Sequence, residues 1–426
     1  MESITFEDSG KLLRLADSLE TTEVFVWLSV SGTILKSTLT AEQAILNLKK
    51  HYKEMLTFYP TLRLKLITKE KLEYWNYTTD EEIQFNNLIH IVDEPFDDAV
   101  PETYKPDKAP LWRVHVAQYD DKTKIKVLGS HCILDGRGIF GFFDLICAYA
   151  LDKGLNDTLK SYQNQPVLYE YGKKDWFTKE ITEKKLDDPY EKFQIKNIKI
   201  HPSISYPSHM KNTQWNVSYQ PISKFCRKHG ITPQGVLMAI QNEAIRKFNK
   251  GNIDDLKIPI YIPIDYRFTK YSTELVKKSL FFCHVGFILP FLENEPDILE
   301  NMKKCTKGLK EALNTTQYCD DAYYSSNLRN YETGEIHFSE NYPNPDNLLF
   351  ASHIGVVSNY GLDDIQFRIR SLMEGDMYYT TFYGFHTKDI FSFTFNAPFN
   401  TPKEYFDSVK ETSLKYYEYI VKEVSE

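Results

Sequence analysis

Apolar positions along this chain switch repeatedly between a period of two and a period near 3.6, so strands and helices are interleaved. Glu23 to Ser31, rich in Val, Phe, Trp and Leu, reads as a buried strand. Thr40-Ala-Glu-Gln43 has the form of a capping box and opens a helix with apolar Ile45, Leu46, Leu48, Tyr52, Met55 and Leu56. Pro60 stops it, and Leu62 to Ile67 alternates as a strand. Val114 to Tyr119 and Lys124 to Leu128 predict two strands with an Asp-Asp-Lys turn between them. An apolar helix follows at Ile139 to Ala150.

The pattern fades from about residue 155 to 212, where Lys, Asp, Glu, Asn and Tyr dominate, as expected of a partly helical crossover. It sharpens again at Ile222 to His229, a short helix ended by Gly230. Thr232-Pro233 then supplies an N-cap followed by proline at the first helical position. That helix places Val236, Leu237, Ile240, Ala244, Ile245 and Phe248 on one face. Strands are expected at Lys257 to Ile264, Leu280 to Phe291 and Phe350 to Ser358, a strand pair at Met377 to Phe395, and a helix at Asp297 to Asn314. Thr401-Pro-Lys-Glu404, a second capping-box pattern, opens a C-terminal helix through Val424. The result is two halves of similar size, each mixing strands with helices.

Composition narrows the classes. The chain has 426 residues, 42% of them apolar and 26% charged, with a net charge of −8. That is enough apolar material for a large core, and without a basic block it gives nucleic acid binding little support. Six scattered cysteines include no C-x-x-C pair, so a zinc ribbon, a dithiol redox motif or a disulfide framework is not expected. No metal site is expected. No signal peptide or membrane-spanning run is visible, and the expectation is a cytoplasmic protein, monomeric by default.

The candidate chemistry lies at His131-Cys-Ile-Leu-Asp135-Gly136, between a strand and an apolar helix. Imidazole has an ordinary pKa of about 6.5 and suits general base work. With eleven histidines in the chain, H-x-x-x-D arises by chance on the order of once, and the following glycine cuts this to about a few per cent. The plain alternative is a core histidine bonded to a backbone carbonyl. Overlapping it, Gly136-Arg-Gly138-Ile-Phe-Gly141 matches the dinucleotide fingerprint G-x-G-x-x-G. No strand ending in an acidic residue follows at the required distance, which weighs against that rival. No G-x-S-x-G elbow, Walker A loop or H-E-x-x-H is present.

The chain resembles the HxxxD acyltransferase superfamily, which includes chloramphenicol acetyltransferase, alcohol acetyltransferases, plant BAHD enzymes and peptide-synthetase condensation domains. His131 to Gly136 carries the signature, and further pieces follow in the family's order. These are Tyr59-Pro60-Thr-Leu62-Arg63, Lys108-Ala-Pro110-Leu111-Trp112-Arg113, the helix from Pro233, Ile260-Tyr-Ile-Pro263-Ile-Asp265-Tyr-Arg267, Val285-Gly286-Phe-Ile-Leu-Pro290 and Val357-Ser358-Asn359-Tyr-Gly361. The resemblance implies an α/β (α+β) fold of two chloramphenicol-acetyltransferase-like lobes, each a mixed sheet with flanking helices, with a tunnel between them. It implies that His131 is the base, that Asp135 points away from the imidazole to pair with Arg267, and that Gly136 permits a tight turn. Ser358 and Asn359 are weaker candidates for lining the site, or simply end a strand.

There are departures. Ser130 stands where many condensation domains have a second histidine, Arg137-Gly138 replaces a bulky residue or serine, and only Tyr383-Gly-Phe385 stands where plant enzymes have D-F-G-W-G. The alcohol acetyltransferase and stand-alone condensation branches fit better. The expected organisation is an N-terminal lobe at 1–175, a linker at 176–210 and a C-terminal lobe at 211–426. The expected function is transfer of an acetyl or other short acyl group from acyl-CoA, a co-substrate rather than a bound cofactor, to an alcohol or, less readily, an amine. The alternatives are a condensation-type enzyme whose donor rides on a carrier protein, and a catalytically silent relative that binds an acylated ligand.

Overall fold

The computed structural model describes residues 4–93, 110–163, 168–184, 188–191, 210–337, 340–341, 349–358, 360–371, 380–398 and 401–425. In the first half the strands are β1 (Leu12–Leu15), β2 (Val26–Leu35), β3 (Leu64–Lys69), β4 (Leu72–Tyr77), β5 (Ile89–Ile91), β6 (Trp112–Tyr119) and β7 (Lys122–Ser130). In the second half they are β8 (Met210–Ser218), β9 (Ile258–Asp265), β10 (Val285–Ile288), β11 (Phe291–Leu292), β12 (Leu349–Val356), β13 (Asp363–Ser371), β14 (Thr381–His386) and β15 (Ile390–Pro398).

Among the described residues these strands make three sheets. A five-stranded sheet runs β13-β2-β7-β6-β5, and a seven-stranded sheet runs β10-β9-β12-β14-β15-β8 with β11 also on β9. A small sheet of β1, β4 and β3 flanks the first. Strand pairing does not follow chain position. β13 belongs to the second half by sequence, yet it pairs antiparallel with β2 from Asp363↔Thr33 to Ser371↔Val26. The Gln214 side chain of β8 then bonds β13's main chain at Ile365 and Phe367, joining the two large sheets.

Most expected elements are present. The helix after Thr40 covers Ala41–Phe58, and the helix after Thr232 covers Pro233–Phe248. Gly230 caps Tyr219–His229 in the left-handed region with φ 66°. Three expectations need correction. The strand expected over Leu280 to Phe291 is only Val285–Ile288 and Phe291–Leu292, because Leu280 to His284 instead crosses to the other lobe, where Phe282 bridges Leu134. An apolar run alone does not distinguish a strand from a buried crossing segment. The capping box at Thr40 is half formed, since Gln43 bonds Asn47 rather than reaching back. The second box is absent: the buried Thr401 hydroxyl has no partner among the described residues.

The dinucleotide reading also fails. The helix Gly136–Ala150 follows β7, whose neighbours β2 and β6 both run antiparallel to it, and the next strand among the described residues, β8, joins the other large sheet, so no parallel βαβ unit forms there. The three glycines serve packing instead. A Cβ at Gly138 would sit 3.2 Å from the Leu280 carbonyl, one at Gly141 would sit 2.6 Å from Leu280 Cδ1, and one at Gly136 would sit 3.2 Å from Ile354. Both Leu280 and Ile354 belong to the second half. Nearly the whole helix is buried, from Gly138 to Ala150 with only Gly141 partly exposed.

A second close approach shapes the opposite wall. At Gly286 in β10 a Cβ would lie 1.7 Å from the carbonyl oxygen of Tyr318, in the helix Gln317–Ser325. Backbone cannot yield as a flexible side chain can. Gly286→Val is therefore expected to lower unfolding stability by about 3 kcal/mol or more, measured by urea titration followed by circular dichroism.

Candidate active site

The signature loop begins where β7 ends. The register Trp27↔Ser130 brings the strand end beside β2, and the His131 N–H donates to Val26 O at 2.6 Å. Four residues later Asp135 is the N-cap of the helix Gly136–Ala150, its Oδ1 accepting from the Gly138 N–H at 2.7 Å. Its other oxygen accepts from Arg267 Nη2 at 2.5 Å and from the His284 N–H at 3.1 Å. Asp135 and Arg267 are each 1% exposed. Burial alone would lower the Arg267 pKa, but Asp135 and Asp265 raise it further above the guanidinium range.

The pair does not form two parallel bonds. One guanidinium arm reaches Asp135, while Nε donates to Asp265 at 2.9 Å and Nη1 donates to the carbonyls of Leu280 and Ser279. Asp265 also lies 3.3 Å from Arg137 Nε, and Arg137 covers the Phe268 ring at 4.4 Å. Asp135, Arg267, Asp265 and Arg137 thus form a string of alternating charge across the seam. Arg137, a departure from the family pattern, has a role in it.

The His131 side chain is 19% exposed and sits on the wall of a cavity of about 90 Å³. Both lobes contribute to that wall. Leu19, Glu23, Val26 and His131 face Tyr261, Val285, Phe287, Phe350, Thr381 and Tyr383, with Asp321 and Ser325 from the helix Gln317–Ser325. Glu23 Oε2 lies 3.9 Å from His131 Nδ1. Burial lowers the His131 pKa, but the neighbouring Cys283 and Glu23 raise it, and the balance is upward. Burial also raises the Cys283 thiol, so near neutral pH its sulfur is uncharged and acts on the ring as a hydrogen-bonding neighbour, beside the ring's own main-chain carbonyl. Across the cavity, burial raises the Asp321 pKa to about 7. Asp321 accepts from the Tyr190 hydroxyl and from the Phe287 N–H, and Tyr190 in turn touches the Tyr261 hydroxyl at 2.8 Å.

Of the residues singled out in the sequence, His131, Asp135, Gly136 and Arg267 come together at one place. Gly136 does not have a positive φ; its lack of a side chain makes room for Ile354 of β12. Ser358 is half-buried, lies outside the cavity lining and hydrogen-bonds Asp144 of the signature helix. Asn359 lies outside the described residues. Glu23, Asp321, Cys283 and His284 were missed. Only Glu23 left a trace in the sequence: Asp17-x-x-Glu20 is a complete capping box that marks a helix start at Ser18, just ahead of Glu23. Among the described residues, no group of three His, Cys, Asp or Glu could hold a metal ion, and no helix is long and apolar enough to cross a membrane.

No protein-family model and no curated protein matches the chain. Solved structures do. A trichothecene 15-O-acetyltransferase from Fusarium sporotrichioides aligns with TM-score 0.64 and 12% identity over 97% of each chain. The epimerization domain from the third module of tyrocidine synthetase B aligns with TM-score 0.62 and 10% identity over 98% of this chain and 99% of that one. Polyketide synthase associated protein 5 from Mycobacterium tuberculosis aligns with TM-score 0.60 and 14% identity over 96% and 100%. The chain has the chloramphenicol-acetyltransferase-like fold. In this fold the two lobes of the present chain meet at the Asp135–Arg267 pair.

Removing one partner of a buried ion pair strands the other charge. Arg267→Ala is expected to lower stability by about 3–5 kcal/mol in urea unfolding, while Asp135→Ala combined with Arg267→Ala loses less than the sum of the single changes.

Proposed function

We propose that this protein is an acyltransferase that moves an acyl group from a thioester to an acceptor hydroxyl, with His131 as general base. The observation that carries the reading is the imidazole's position on the wall of a cavity framed by both lobes. In the neutral ring one nitrogen accepts the acceptor's proton as its oxygen attacks the thioester carbonyl. The tetrahedral oxyanion then collapses, the carbon–sulfur bond breaks, and the imidazolium returns its proton to the departing thiolate. Holding both substrates in one cavity supplies much of the acceleration, because it turns an encounter between two molecules into a step within one complex.

Asp135 has no part in the proton transfer on this reading, since its oxygens already serve Gly138, His284 and Arg267. On this reading the acyl group is acetyl or another short chain. The soluble co-substrate proposed is acyl-CoA. The second reading, a donor carried on the phosphopantetheine arm of a carrier protein, is supported by the likeness to a condensation domain that mediates chain release from the enacyloxin polyketide synthase.

The test is thiol release from acetyl-CoA in the presence of a panel of alcohols and amines. His131→Ala is expected to lower turnover by about 10²–10⁴-fold while the melting curve stays in place. Wild-type turnover in His131→Ala rejects the base assignment. Release only from an acyl group loaded on a carrier protein selects the second reading.

A further inference from the structure

Glu23 belongs to the site for reasons that the signature motif does not contain. It ends the helix Ser18–Glu23, whose start is fixed by the Asp17–Glu20 capping box. Glu20 is itself held by Arg14 at 2.6 and 2.8 Å and by the Trp75 indole N–H at 2.9 Å. The far end of this short helix is tied to the histidine strand. The Ser130 hydroxyl lies 3.0 Å from Val24 O and 3.4 Å from Glu23 O, while the His131 N–H donates to Val26 O. Residue 130 therefore clamps the Glu23 main chain to the residue beside the base. Glu23 Oε2 and His131 Nδ1 are both buried atoms without a hydrogen-bond partner among the described residues, and they face each other across 3.9 Å on the cavity wall.

We propose that Glu23 is the positioning residue of His131: its carboxylate holds the ring in the tautomer protonated at Nδ1 and leaves Nε2 to take the acceptor's proton. This rests on the acyl-transfer reading. Protonation at Nδ1 turns a donor toward Glu23 Oε2, and at 3.9 Å the pull is that of a charge on an N–H rather than a formed hydrogen bond. When Nε2 takes the proton, the imidazolium forms beside a carboxylate, which stabilises the charge where it develops. Other groups bear on the ring. Cys283 approaches from the segment before β10, the ring's own main-chain carbonyl also favours the protonated form, and Asp321, Tyr261 and Tyr383 line the cavity opposite. None of these is a second carboxylate on the histidine's own side.

The test reads the ring directly, by nuclear magnetic resonance of ¹⁵N-histidine-labelled protein, with the His131 signal assigned by its loss in His131→Ala. In Glu23→Gln the His131 pKa is expected to fall by about 1 to 3 pH units. The neutral ring should also lose its preference for the Nδ1-protonated tautomer. A general base works only when deprotonated, so the acid limb of the kcat/KM profile should move to lower pH by the same amount. Glu23→Asp keeps the charge and should restore part of the shift, and it serves as the readout if Glu23→Gln does not fold. An unchanged pKa and tautomer in Glu23→Gln overturns the assignment, as does a pKa that moves in Cys283→Ser alone. If the ring responds as expected but no protein turns over any thioester, the pairing stands and the acyl-transfer reading falls.

Discussion

The buried contact between Asp135 and Arg267 is the constraint on which the site depends. Two charged groups, each 1% exposed, are tolerated in the interior only because their hydrogen-bonding capacity is engaged. Asp135 satisfies Gly138, His284 and Arg267; Arg267 satisfies Asp135, Asp265 and two carbonyls. The partners come from the loop after β7, the end of β9 and the segment before β10. A small relative movement of the lobes would break several of these bonds together, so the pair locates one lobe against the other at the histidine loop. Its contribution is geometric more than energetic, because the desolvation of both ions offsets most of their attraction.

Close approach of backbone does the rest. Gly138 and Gly141, three residues apart on the signature helix, present a stripe without side chains to Leu280, Gly136 makes room for Ile354 on another side, and Leu280 in turn presents its carbonyl to Arg267. The glycine pattern that imitates a nucleotide motif is thus the imprint of an interface between lobes. The same physical property, absence of a Cβ, serves phosphate approach in one fold and packing of a crossing segment in another. What separates the two is the strand that follows the helix, here in the other sheet.

Local order in the sequence made many elements legible. The helix Pro233–Phe248 has its N-cap, its proline and its apolar face written together, and Gly230 marks the end of the helix before it. The strands at β6 and β7 alternate clearly around a turn. Elements whose reason lies elsewhere in the chain were not legible. β13 has no unusual local signature and takes its meaning from β2, more than three hundred residues away. Leu280 to His284 reads as a strand by composition, but its bonds go to Asp135 and Arg267. At the site, the same division holds. The pairing of Asp135 with Arg267 could be expected through family resemblance. Asp321 gave no signal, because its burial is created by Tyr190, Tyr261 and Phe287 from separate segments.

The crossing of β13 bears on how a substrate reaches His131. Opening the cavity by swinging the lobes apart would strip β13 from β2 along Asp363–Ser371, or tear the Gln214 side chain from the β13 main chain. It would also expose the Asp135–Arg267 pair. Each of those losses is larger than the turning of an aromatic ring between rotamers, which proceeds within a packed interior without breaking backbone bonds. Tyr261, Phe287, Phe350 and Tyr383, all on the seven-stranded sheet, are the large side chains on the wall facing the imidazole. The deformation that costs least is therefore displacement of these rings while the sheets stay joined. On the proposed acyl-transfer reading, acceptor size depends on which of them moves, while the His131 side stays pinned by its backbone bond to β2.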